Sequence, residues 1–74
     1  MLARLNDDPT PELVTELRDL LRRAGCIAVQ VAPETLRVAI PDAPGPDQER
    51  RELLAYVATW SAARSVDVEV IDDE

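Results

Sequence analysis

The side chains that could do chemistry in this chain are a thiol at Cys26, hydroxyls at Ser61 and Ser65, and carboxylates grouped at Asp7 and Asp8, at Asp67 and Glu69, and at Asp72 to Glu74. A thiol becomes a nucleophile when an imidazole, a cation or a helix N-terminus lowers its pKa. Cys26 instead follows the C-terminal end of a predicted helix, which predicts an inert, structural thiol. The chain has no histidine and no lysine, so it lacks the commonest general base, a common metal ligand, the Schiff-base amine and the phosphate-loop cation. Ser61 and Ser65 therefore have no candidate base. Carboxylates such as Asp67 and Glu69 share acid and base roles only across a concave pocket, and a chain of 74 residues has little interior with which to enclose one. Neither Asp7 and Asp8 nor the terminal acids show the spacing and turn glycine of a calcium loop. Gly25 and Gly45 stand in no phosphate-cradling pattern. These readings point away from an enzyme and call for no cofactor and no metal.

Hydrophobic residues form 46% of the chain and charged residues 31%, the balance of a folded domain rather than a disordered one. With only Tyr56 and Trp60 as aromatics, the core must be aliphatic. The formal net charge is -7, eight cations against fifteen acids, which argues against direct nucleic-acid binding because phosphate contacts need cationic surface. All eight cations are arginine, which together with abundant Ala, Asp and Val suggests GC-rich, bacterial coding. One cysteine fits a reducing compartment. No apolar run approaches a membrane span and the first residues do not read as a signal peptide, so the expectation is a cytoplasmic protein without a membrane partner.

Two helices and three or four strands must position these residues. In "TPELVTELRDLLRRAG", Thr10 is a good N-cap, Pro11 suits the first helical position and Gly25 suits a left-handed C-terminal cap. Leu13, Val14, Leu17, Leu20, Leu21 and Ala24 make one apolar stripe over a helix from about Pro11 to Ala24. The stretch "CIAVQVAPETLRVAIP" predicts a hairpin turning at Pro33 and Glu34, and "PDAPGPD" a stiff loop. A second helix starts near Gly45 to Asp47 and runs to about Arg64. Projection at 100° per residue puts Leu54, Val57, Ala58 and Ser61 at the middle of its apolar arc, with Leu53 and Trp60 on a flank and Tyr56 beyond. "RSVDVEVIDDE" alternates as a last strand and ends in acids expected to be frayed.

If Met1 to Asn6 form a strand, the order is strand, helix, strand, strand, helix, strand: one α+β domain over residues 1–74 with the βαββαβ ferredoxin-like arrangement. Without that strand the domain is αββαβ with three strands. Either way both helices cover one sheet face. The covered face is expected to hold Ile27, Val29 and Val31, Leu36, Val38 and Ile40, and Val66, Val68 and Val70. The open face is expected to hold Ala28, Gln30, Ala32, Arg37, Ala39, Asp67, Glu69 and Ile71.

Its small and charged side chains read either as a wet surface or as a place where a second sheet approaches closely. Tyr56 and Trp60, four residues apart on one helix flank, read either as core or as partner anchors. The candidate partner surface is therefore Tyr56, Trp60, Ala28, Gln30, Arg37 and Ala39. The function expected is a small acidic, non-enzymatic interaction or regulatory module that self-associates or binds another protein. Two alternatives differ in class: a ferredoxin-like sensor holding a small-molecule ligand at a dimer interface, and an acidic inhibitor or nucleic-acid mimic directed at a basic partner.

Overall fold

The computed structural model describes residues 1–71, so the expectation of a frayed acidic end at 72–74 lies outside the described residues. The elements are β1 (Leu2–Leu5), α1 (Pro11–Arg23), β2 (Ile27–Ala32), β3 (Thr35–Ala39), α2 (Pro46–Arg64) and β4 (Val68–Ile71). All strand pairs are antiparallel, in the order β2-β3-β1-β4. The first residues thus complete the four-strand sheet, and the fold is the α+β ferredoxin-like arrangement with both helices packed against the sheet. Asp7 and Asp8, both with positive φ, turn the chain out of β1 towards α1, a conformation in which Asp is among the better tolerated residues.

Each helix is closed as its end residues dictate. The Thr10 side chain accepts from the Leu13 N–H at 3.3 Å and Pro11 opens α1. At the other end Gly25 adopts φ +92°, its N–H donates to the Arg22 carbonyl at 3.1 Å, and the Cys26 N–H donates to the Leu21 carbonyl at 2.9 Å. These two bonds are a Schellman cap, which brings the residue after the glycine back onto the last turn of the helix. Helix α2 opens on Pro46 and ends at Ser65, which takes the left-handed conformation. The Ser61 hydroxyl donates to the Val66 carbonyl, and the Val66 N–H donates to the Ser61 carbonyl at 3.2 Å. The Glu49 carboxylate of α2 accepts the Ile40 N–H at 2.9 Å and thereby ties the end of β3 to the helix.

Between the layers Ala3, Leu5, Val14, Leu17, Leu21, Leu36, Val38 and Leu53 form a core that is aliphatic, as composition requires. Among the described residues the one buried aromatic is Trp60, 6% exposed. Its indole N–H donates to Glu16 on α1 at 3.2 Å, and Arg64 forms an ion pair with the same carboxylate. Glu16 therefore clasps the two helices together.

Two expectations are overturned. Ile27, Val29 and Val31 do not lie under the helices: they are 55%, 50% and 49% exposed, while Ala28 is 1% exposed and Cys26 is buried. The Schellman cap is the reason. It turns Cys26 onto Leu21, and because successive strand residues face opposite sides, Ala28 follows inward and the β-branched residues face out. On α2 the buried side chains are Leu53, Val57 and Trp60, whereas Leu54 is 42% exposed and Ala58 is exposed. The helix is rotated so that the expected flank is its centre. Its alanines make every side moderately apolar, and anchoring at Glu49 and Trp60 decides the facing.

Candidate interaction surface

The open face of the sheet is read from its pairing register, since residues directly opposite in an antiparallel pair project to the same side. One row runs Val29, Arg37, Leu2, Ile71 and the next includes Thr35, Arg4 and Glu69; Ile27 lies opposite Ala39. The β2 side of this face is a stripe of three half-exposed β-branched residues, Ile27, Val29 and Val31. Leu2, Ala39 and Ile71 continue it as half-buried apolar side chains, and Arg4, Arg37 and Glu69 are exposed. Isolated exposed apolar residues are ordinary, but a contiguous row on one strand is characteristic of an interaction site.

The expected site residues are divided by the fold. Arg37 and Ala39 lie on the open face. Ala28 does not: it is part of the core, sent inward by the cap before it. Gln30 lies opposite Leu36 and so belongs to the helix side of the sheet, where it is exposed. Trp60 is buried between α1 and α2 rather than projecting as an anchor, and Tyr56 is half-buried against the same core. The four-residue spacing of Tyr56 and Trp60 thus serves helix packing. The open-face residues that alternation alone does not pick out are Ile27, Val29 and Val31, and the signal for them is Gly25, whose role as a C-terminal cap fixes which side of β2 faces in.

Several of the groups that could do chemistry are held in structural roles. Burial pushes the pKa of the Cys26 thiol above its ordinary value, and the nearby carboxylates of Glu52 and Glu49 raise it further. Such a thiol carries little thiolate at neutral pH. Ser61 spends its hydroxyl on the Val66 carbonyl. Asp67 accepts the Asn6 side-chain amide at 2.9 Å, and its carbonyl accepts the Asn6 N–H at 2.9 Å, fastening the end of β1 to the start of β4. Glu69 stands directly across from Arg4. Among the described residues no cluster of three or more His, Cys, Asp or Glu is placed to hold a metal ion. A shallow depression along α1, lined by residues such as Glu12, Thr15, Glu16 and Asp19, is open to solvent. Among the described residues no helix is long and apolar enough to cross a membrane.

The chain matches no protein-family model, no curated protein and no solved structure.

Proposed function

We propose that this protein is a small acidic interaction module that works by binding rather than by catalysis, and that it self-associates through the β2 side of its sheet. The observation that carries the reading is the stripe of Ile27, Val29 and Val31, three β-branched side chains each about half exposed on one edge strand. A small domain gains by covering such a stripe, because its own core buries limited apolar area. The absence of histidine and lysine, the buried thiol and the hydrogen-bonded serine support a non-catalytic role. The charge supports the place of contact: two copies of a chain with net charge -7 repel, and the segment from Leu20 to Pro33 contains no acid and two arginines, Arg22 and Arg23. Its approach to a second copy is the least opposed.

Light scattering over a concentration series tests this, with each concentration measured at low and at high salt. The mass is expected to rise from one chain towards two with concentration, and at lower concentration in high salt, where repulsion between the acidic bodies is screened. A mass of one chain throughout, in both salts and up to millimolar protein, defeats the self-association reading.

A further inference from the structure

The outer edge of β2 carries backbone groups that the sheet does not use. The Val38 N–H donates to the Met1 carbonyl at 2.7 Å and the Leu5 N–H donates to the Glu34 carbonyl at 2.8 Å. Val38 and, two residues along, Leu36 therefore turn their backbone groups towards β1. Their partners on β2 are Ala28 and Gln30. In an antiparallel ladder, residues opposite such positions point their own N–H and C=O groups away from the shared side, so Ala28 and Gln30 present theirs to the outside. The guanidinium of Arg22 agrees with this: its Nε donates to the Ala28 carbonyl at 3.1 Å, a group that no strand of the sheet engages. Cys26 offers no further donor, because its N–H is held by Leu21.

These groups are self-complementary in one register. We propose that a second copy of this chain adds its own β2 antiparallel to this edge, about a two-fold axis at Val29, to make one continuous eight-strand sheet. Ala28 of each copy then lies opposite Gln30 of the other, and each of the two pairs exchanges two N–H to C=O hydrogen bonds. Val29 meets its own counterpart, and Ile27 meets the other copy's Val31 on the open face, so the two apolar stripes merge into one. The alternative register with Ala28 opposite itself leaves each Gln30 carbonyl facing the Cys26 N–H, which is already committed to Leu21, and sets Val31 opposite Gly25 rather than Ile27, so the apolar stripes overlap less. The bulge between Gln30 and Ala32 ends the ladder on one side and the helix cap ends it on the other. Arg22 must leave the Ala28 carbonyl for the strand to add, so it acts as a removable guard of the kind that edge strands use against uncontrolled pairing. The short ladder places the pair among weak, reversible assemblies. The inference rests on the self-association reading above and adds to it the edge, the register and the guard.

Gln30→Pro is the discriminating variant. Proline removes the outward N–H that the second copy needs and is tolerated on an edge strand whose N–H faces solvent. Because each copy loses one bond, dimerisation is expected to weaken about ten- to a hundredfold by light scattering, with the circular dichroism spectrum of the monomer retained. The second variant is Val29→Cys in a Cys26→Ala background. Facing cysteines at a position without ladder bonds stand within disulfide reach, so mild oxidation is expected to convert the chain to a covalent dimer, whereas Val31→Cys in the same background cross-links poorly with itself. A Gln30→Pro protein that folds and dimerises as tightly as the parent overturns the edge geometry while leaving self-association intact. If Gln30→Pro does not fold, the cysteine pair decides: equal cross-linking at positions 29 and 31 overturns the register. A parent chain that never dimerises overturns both readings together.

Discussion

Adjacent leucines on α2 offer a direct test of how that helix is set on the sheet. Leu53 is fully buried and Leu54 is 42% exposed. Truncating a buried leucine to alanine removes transfer free energy and leaves a cavity, together about 2–5 kcal/mol. Leu53 sits in a core of closely packed aliphatic residues, so about 3 kcal/mol is expected. At Leu54 the removed methyl groups are already largely in water, no sealed cavity forms, and alanine is the better helix former by a small margin, so the expected loss is under about 1 kcal/mol. The difference is large for this molecule, since 74 residues at about 0.05–0.15 kcal/mol each give a total stability of about 4–11 kcal/mol. Urea unfolding followed by far-ultraviolet circular dichroism and by the single tryptophan reads both variants. In a heat melt the same change at Leu53 lowers Tm by about 12–24 °C, given about 4–8 °C per kcal/mol at this size. Equal losses at the two positions, or a larger loss at Leu54, would refute the helix facing and with it the assignment of Trp60 to the seam between the helices.

Glu16→Ala strips the Trp60 indole N–H of its acceptor and Arg64 of its counter-ion, and about 1–2 kcal/mol of stability is expected to go with it; Glu16→Gln keeps an acceptor and is expected to lose less than half as much, and equal losses would show that the indole bond contributes nothing. Cys26 is expected to react with a disulfide reagent at least a hundredfold more slowly in the native chain than in urea at neutral pH, and comparable rates would refute its burial. Because its folded pKa is raised, the thiol's contribution is complete below about 9.0 and is lost as pH climbs from there through the higher folded value. Alkaline destabilisation should therefore be smaller in Cys26→Ala, as urea midpoints between pH 8 and 11 will show.

Local signals and tertiary ones were unequally legible in the sequence. Both helices, the hairpin at Pro33 and Glu34 and the last strand follow from caps, turn residues and alternation, each of which acts over a few residues. The facing of β2 is not legible from alternation, which divides a strand into two sides without saying which is inner. The usual assumption that isoleucine and valine go inside fails where a helix cap has already turned a cysteine and an alanine towards the core. That determinant was nevertheless written in the chain, in Gly25 followed by a residue able to pack on Leu21. The rotation of α2 was less accessible. A helix rich in alanine has no steep difference between its faces, and the contacts that orient it, Glu49 with Ile40 and Trp60 with Glu16, join segments far apart in sequence. The open face carries the same difference: Arg37 and Ala39 lie on it, while the side chains of Ala28 and Gln30 turn to the helix side and those of Ile27, Val29 and Val31 take their place.

The position of β1 has a consequence for the order in which the molecule can be assembled. It precedes the other three strands in sequence and yet lies inside the sheet, between β3 and β4, with Leu5 opposite Val68. During synthesis the hairpin of β2 and β3 and the first helix can form from neighbouring residues, but Ala3 and Leu5 cannot be flanked on both sides until the last strand has left the ribosome. Closure of that long loop is an entropic step that local structure cannot hasten. Until it occurs, β1 paired with β3 keeps an open edge in addition to that of β2, so this domain is most adhesive just before β4 docks.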